Sequence, residues 1–320
     1  MSHDLVGGVL AGEPAAIARA ITLVEAGGER ARTLLRALRG QAGRAHIVGI
    51  TGSAGVGKSS LINQLVRELR LRGRSVGVIA VDPTSPLSAG AILGDRVRMQ
   101  QLASDPAVFV RSMATRGALG GLAKSTEGAA TILDAAGKDI VVVETVGAGQ
   151  CEVDIAAFAH SIVLVLAPAM GDSIQTLKAG ILEVADIFVV NKADLDGADQ
   201  TVADLTAVSV RGLDQWKPPI LKTVALSGSG IPNLVSALED HRQYLTKDGS
   251  GAVQKAELMQ RRILALARSA LLEAFQEQVD TYLLGHLTGL VLAGESDPYS
   301  AAEALLRQFL PPKASPANRA

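Results

Sequence analysis

The stretch GSAGVGKS, Gly52 to Ser59, constrains this chain more than any other. It fits the pattern G-x-x-x-x-G-K-[ST], follows the apolar IVGI and precedes the helical pattern SLINQLVREL. A strand, a glycine-rich loop and a helix in that order form the context in which this motif binds phosphate. The glycines let backbone N–H groups turn inward, Lys58 brings a point charge to the β and γ phosphates, and the Ser59 hydroxyl suits Mg²⁺. Gly52, Ser53, Ala54, Gly55, Val56, Gly57, Lys58, Ser59 and Ser60 are the expected phosphate cradle. The chain is therefore expected to be a P-loop nucleoside triphosphatase.

The flanking sequence predicts the scaffold. From HIVGI at 46 to about 240, short apolar runs (SVGVIAVD, VFVR, DIVVVET, SIVLVLAP, DIFVVNKAD, ILKTVAL) alternate with helical stretches. That alternation predicts an α/β fold with a mainly parallel sheet flanked by helices. Before it, EPAAIARAITLVE repeats its apolar residues at helical spacing with Pro14 near the start, predicting an N-terminal helical segment over 1–42. The P-loop domain is expected over 43–246. The tract TKDGSGA at 246–252 reads as a linker into a C-terminal helical extension over 247–320. An amphipathic pattern starts that extension, a second helical stretch follows ESDPYS, and the tail PPKASPANRA has the composition of a disordered end.

Composition narrows the class of partner. A formal net charge of −1 with mixed signs gives no basic stripe, so no nucleic-acid partner is expected. The single cysteine, Cys151, excludes an intramolecular disulfide framework and fits a reducing compartment. No apolar run approaches the length needed to cross a bilayer, and no signal sequence is evident, so a cytoplasmic protein without membrane association is expected. His3, His46, His160, His241 and His286 are scattered, without metal-ligand spacing.

Further motifs stand at the ends of predicted strands, where open α/β sheets collect their ligands. NKAD, Asn191 to Asp194, ends IFVV. A carboxylate there can accept two hydrogen bonds from guanine N1 and N2, a pattern adenine lacks, so Asn191, Lys192 and Asp194 point to GTP. In ALSGSGI, Ser227 and Gly228 are candidates to close over the base. Asp82 ends VGVIAV, Asp95 lies in AILGDRVRM, and Glu144 ends IVVVE before a loop containing Gly147 and Gln150. With Ser59, these three acids would give the all-oxygen shell that Mg²⁺ prefers. Lys58, Asp95 and Glu144 are the candidate catalytic residues.

Taken together, GITGSAGVGKSSL, AVDPTSP, GAILGDRVRM, ETVGAGQ, GDSIQTLKAGILEVADIFVVNKAD and LEDHRQYL closely resemble the MeaB/ArgK family of GTPases, over about residues 10 to 310. The resemblance implies GTP and GDP as ligands, Mg²⁺ as cofactor and an adenosylcobalamin-dependent acyl-CoA mutase as partner. The family gates cofactor loading from a cobalamin adenosyltransferase and protects or rescues the mutase. It also implies a homodimer built on the C-terminal helices. Arg98, Gly147 and Gln150 then fall in switch segments, and Asp172, Gln175 and Lys178 fall in a third switch that couples nucleotide state to the mutase. Slow intrinsic hydrolysis, accelerated by the partner, is the corresponding expectation.

The chain departs from the family at Ser53-Ala54, where a proline is common, in a shorter base loop, SGSGI, and at Cys151, where serine is frequent. Two other readings compete. One is a metabolic kinase of the ArgK transport type, which the guanine motif opposes. The other is a nickel-enzyme metallochaperone GTPase, which the lack of clustered His and Cys opposes.

Overall fold

The computed structural model describes residues 2–82, 104–114, 121–145, 155–156, 158–168, 184–208, 216–247 and 279–307, with residue 182 and single positions between 256 and 278. Seven strands among them form one sheet: β1 (His46–Thr51), β2 (Val76–Asp82), β3 (Val108–Ala114), β4 (Ile140–Glu144), β5 (Ser161–Leu166), β6 (Ile187–Val190) and β7 (Ile220–Lys222). Their order is β3-β2-β4-β1-β5-β6-β7, and every pairing is parallel. The expected α/β architecture, a parallel sheet flanked by helices with further helices at either end of the chain, is the one observed.

All residues of β1, β4, β5 and β6 are buried. Strands covered on both faces carry continuous apolar runs, and this is why HIVGI and IVVV lack a polar alternation. The pleat still sorts the side chains between two cores. Val48, Ile50 and Val142 meet Leu61, Ile62, Leu65 and Leu69 of α4 (Lys58–Leu71), with Leu234 and Leu238 of α7 (Ile231–Thr246) in the same cluster. Ile47, Val141 and Val143 belong to the opposite layer, with Ile17 and Ile21 of α2 (Pro14–Ala26), Leu34 of α3 (Gly28–Leu38) and Leu133 of α5 (Gly121–Ala135). Val9 of α1 (Ser2–Leu10) joins them. A smaller cluster sets Leu205 of α6 (Ala198–Val208) against Phe188 and Val190.

The N-terminal helices thus share the sheet's own core. The chain enters β1 under one carboxylate, because Asp134 of α5 accepts the backbone N–H groups of Gly43, Arg44 and Ala45. Among the described residues, no single helix is long and apolar enough to cross a membrane.

At the amino ends of the strands a polar chain runs through the core. His46 Nε2 lies 2.8 Å from Ser161 Oγ, which lies 2.6 Å from His241 Nδ1. His241 Nε2 in turn is 3.6 Å from Asp186 Oδ1, and the other oxygen of Asp186 accepts the Ile162 N–H. Beside this chain lies a cavity of ≈ 490 Å³ bounded by His46, Ile140, Leu69, Val235, Arg74 and Arg242. It opens at the end of the sheet opposite the glycine-rich loop.

Residues Met1–Ala265 form one compact unit and Leu266–Ala320 a second. In the second, α8 (Thr281–Leu292) is capped by Asp280, which accepts the Tyr282 and Leu283 N–H groups, and α9 (Pro298–Leu306) is capped by Asp297 through Tyr299 and Ser300. Tyr282, Leu292 and Tyr299 are more than four-fifths exposed, at 86%, 84% and 84%.

Candidate functional site

The loop after β1 bends where only glycine fits. Gly52 has φ +143°, and a Cβ there would stand 2.1 Å from the Val165 carbonyl oxygen of the neighbouring strand. Gly57 has φ +94°, and a Cβ would meet the Asn191 amide nitrogen at 2.5 Å. The loop is therefore seated against the backbone of β5 at Gly52 and against the Asn191 side chain at Gly57, and at both positions φ lies in the region that favours glycine. Helix α4 starts at Lys58, so its unpaired N–H groups and the positive end of its dipole face the loop.

Lys58 is buried, and its Nζ donates to the carbonyls of Gly52 at 2.8 Å and Ser53 at 3.0 Å. These two bonds hold the ammonium across the loop mouth. The Ser59 hydroxyl donates to Glu144 Oε1 at 2.8 Å, joining the first turn of α4 to the end of β4. A hydroxyl and a buried carboxylate converging at a phosphate-binding loop are hard oxygen donors of the kind Mg²⁺ takes, so these residues fit that ion. Asp82 is the last residue of β2, two positions beyond Ala80, which is in register with Glu144. Its backbone therefore lies at the same edge of the sheet.

The NKAD segment leaves β6 on the other side of the loop. Asn191 is buried, donates from Nδ2 to the Val56 carbonyl at 2.8 Å, and accepts at Oδ1 from Thr223 Oγ1 and the Ala225 N–H, both at 3.1 Å. Lys192 takes φ +56°, and its Nζ donates to the Gly55 carbonyl at 2.8 Å. Asp194 is exposed and makes no hydrogen bond or ion pair among the described residues. Ser227 hydrogen-bonds the Val224 carbonyl, Gly228 holds φ +78°, and Leu226 beside them is 87% exposed.

The structure thus brings Gly52 to Ser60, Glu144, Asn191, Lys192, Asp194, Ser227 and Gly228 to the carboxyl edge of one sheet. The expected residues Asp95, Arg98, Gly147, Gln150, Asp172, Gln175 and Lys178, and also Cys151, lie outside the described residues. Sequence reasoning missed the internal use of Asn191, since nothing in a four-residue motif shows that Thr223 and Ala225 will fold back onto its amide.

A parallel sheet, a glycine loop closed by Lys58 and an acid at the end of β4 define a P-loop nucleoside triphosphatase. Residues 17–280 match the family described as methylmalonyl Co-A mutase-associated GTPase MeaB, and the chain belongs to that family. Its relatives include a Pyrococcus abyssi protein carrying a provisional GTPase name, 43% identical over 315 residues that span 97% of each chain. Another is the mitochondrial methylmalonic aciduria type A homolog of Caenorhabditis elegans, 32% identical over 96% of this chain and 82% of that one. Among solved structures, a LAO/AO transport system kinase is similar with a TM-score of 0.71 and 26% identity, covering 96% of this chain and 97% of the other.

Proposed function

We propose that this chain is a Mg²⁺-dependent GTPase whose nucleotide state gates adenosylcobalamin loading and protects or reactivates an adenosylcobalamin-dependent acyl-CoA mutase. The observation that carries the GTPase reading is the Ser59–Glu144 hydrogen bond, which sets a metal-type oxygen pair beside the loop lysine. The mutase reading rests on membership of a family described as mutase-associated.

In this reading the P-loop N–H groups and Lys58 bind the β and γ phosphates and stabilise charge that builds on them during transfer to water, a step that needs mainly positioning and electrostatics. Ser59 and Glu144 would hold Mg²⁺, with Asp82 and Asp95 as further acids of its shell, and the ion would there withdraw charge from the phosphates. Asp194, open to solvent, accepts guanine N1–H and N2–H. Asn191 and Lys192 brace the base loop against the P-loop instead of spending their side chains on the base. Ser227 and Gly228 close the base pocket. The switch role falls to Arg98, Gly147, Gln150, Asp172, Gln175 and Lys178.

Hydrolysis is slow in the isolated protein and faster when the mutase orders these switches. Reciprocal coupling then lets the nucleotide alter mutase affinity, with a cobalamin adenosyltransferase as a further partner. The exposed tyrosines and leucines of α8 and α9 support a C-terminal dimerisation arm over 247–320 and a homodimer.

The test is the GTPase rate of the purified chain alone and with candidate acyl-CoA mutases, with Lys58→Ala as control. Acceleration by one mutase, lost in the variant, supports the proposal and names the client. A fast rate unaffected by every mutase overturns the regulatory part. A kinase reading is favoured by the name of the structural relative above. Transfer of γ-phosphate label to a protein or small molecule, instead of its release as inorganic phosphate, would establish it.

A further inference from the structure

Two buried hydroxyls next to this site are satisfied by none of the described residues. Thr51 ends β1, immediately before Gly52, and is 0% exposed; Thr145 follows Glu144 and is 3% exposed. Among the described residues, neither Oγ1 meets a hydrogen-bonding partner. Ile50 and Glu144 are in register across the β1–β4 pair, and the Thr145 N–H donates to the Ile50 carbonyl at 3.0 Å. Thr51, the last residue of β1, and Thr145, the first residue past β4, are therefore the next neighbours after this pair. Glu144 faces α4, because it receives the Ser59 hydroxyl. By strand alternation the two threonines turn to the opposite face, the side of Val143 and α5. A third such hydroxyl, Thr126 of α5, has no strand register that pairs it with either.

A buried hydroxyl left without a partner is costly, and an isosteric valine would avoid that cost. Two of them side by side, at the junction of the phosphate loop and the acid that faces it, need a common partner. We infer that Thr51 and Thr145 together bind one buried water that ties the exit of β4 to the entry of the P-loop, making them positioning residues for Glu144 and the peptide that follows it. A single water can donate to one hydroxyl and accept from the other, which is how buried waters meet otherwise unsatisfied polar groups. The β1–β4 ladder ends at the Thr145 N–H, so this water would be its last rung, just where Glu144 must be held within a fraction of an ångström. The threonine methyls pack as valine would; only the hydroxyls are specific to this role. The kinetic part of the inference rests on the GTPase reading above, whereas the water site does not.

The experiment pairs the double variant Thr51→Val/Thr145→Val with Thr51→Ser/Thr145→Ser. The first removes both hydroxyls at nearly constant volume, and the second keeps them. In a crystal structure of the wild-type GDP complex beyond about 1.8 Å resolution, an ordered water is expected within hydrogen-bonding distance of both oxygens. The valine pair is expected to lower the GTP kcat about three- to tenfold with KM little changed, as loss of positioning predicts, and the serine pair to restore it. A valine pair that melts higher than wild type, with kcat unchanged and no water between the two oxygens of the native protein, overturns the inference. A fall in kcat that serine does not rescue also overturns it, by assigning the effect to the methyl groups. If wild-type protein releases no phosphate from GTP, the GTPase reading fails, and the water is still decided by the crystal structure and the melting temperatures.

Discussion

The side-chain amide of Asn191 donates to the Val56 carbonyl at 2.8 Å, so two motifs separated by 135 positions are joined by one hydrogen bond. Its oxygen accepts two more bonds, from Thr223 and Ala225, and the residue is buried. Replacement by alanine strands the Ala225 N–H and the Val56 carbonyl. Asn191→Ala is expected to lose about 1–3 kcal/mol of stability and to weaken GDP binding, as both loops loosen. Denaturant melts and titration with a fluorescent GDP analogue check it. An unchanged melt would refute the bracing role.

The Ser59–Glu144 pair makes a separate prediction about the metal. Glu144→Gln keeps the shape and removes the charge. The GTPase rate is expected to fall about 10²-fold and the Mg²⁺ concentration for half-maximal rate to rise, because a neutral amide offsets less of the ion's charge. Phosphate release measured across a Mg²⁺ series decides between this and a merely structural acid, for which the rate would fall with no change in Mg²⁺ dependence.

Asp194 stands open at the surface while its two motif partners are engaged with protein carbonyls. Asp194→Asn should weaken GTP binding by about 10²-fold or more, the cost of two bonds to a charged acceptor. It should also improve binding of the xanthine nucleotide, whose 2-oxo group accepts from the new amide where guanine would donate. Competition of GTP and XTP against the fluorescent GDP analogue measures both affinities. Equal losses for both bases would remove Asp194 from base recognition.

His46 supplies a pH dependence. Burial, then the electrostatic influence of the neighbouring His160, Arg242 and His241, holds its imidazole well below the ordinary 6.5. Above pH 6.5 the folded and unfolded chains are both neutral at this group. Below it, the unfolded chain takes a proton that the folded one refuses, so stability falls with pH by up to about 1.4 kcal/mol per unit. The loss continues downward until the folded group itself protonates. Urea melts from pH 7.5 to 5 should show this slope, and His46→Asn should shallow it by one proton. An identical slope in the variant would assign the effect to other groups.

Much of the site was legible because it is local. GSAGVGKS must turn through glycines whatever surrounds it, and each apolar run ending in an acid or in NKAD had to be a buried strand finishing at a polar edge. What was not legible depends on partners far along the chain. Asp134 grips three N–H groups some 90 positions away, and His46, Ser161 and His241 are drawn from three elements. Nor does the helical pattern of the N-terminal segment show which surface it covers; Ile17 and Ile21 belong to the same cluster as Val141 and Val143 of the sheet.

By itself the sequence pointed to the strands of the sheet, to a phosphate-binding loop and to guanine, because periodicity, glycine freedom and donor–acceptor patterns are properties of short stretches. Only the tertiary structure decided that Glu144 meets Ser59, that Asn191 serves the protein and Asp194 is left to the solvent side, and that Thr51 and Thr145 lie side by side with no partner among the described residues. Those facts follow from the strand order β2-β4-β1-β5-β6, which places β4 and β5 on either side of β1 and so sets which distant side chains become neighbours.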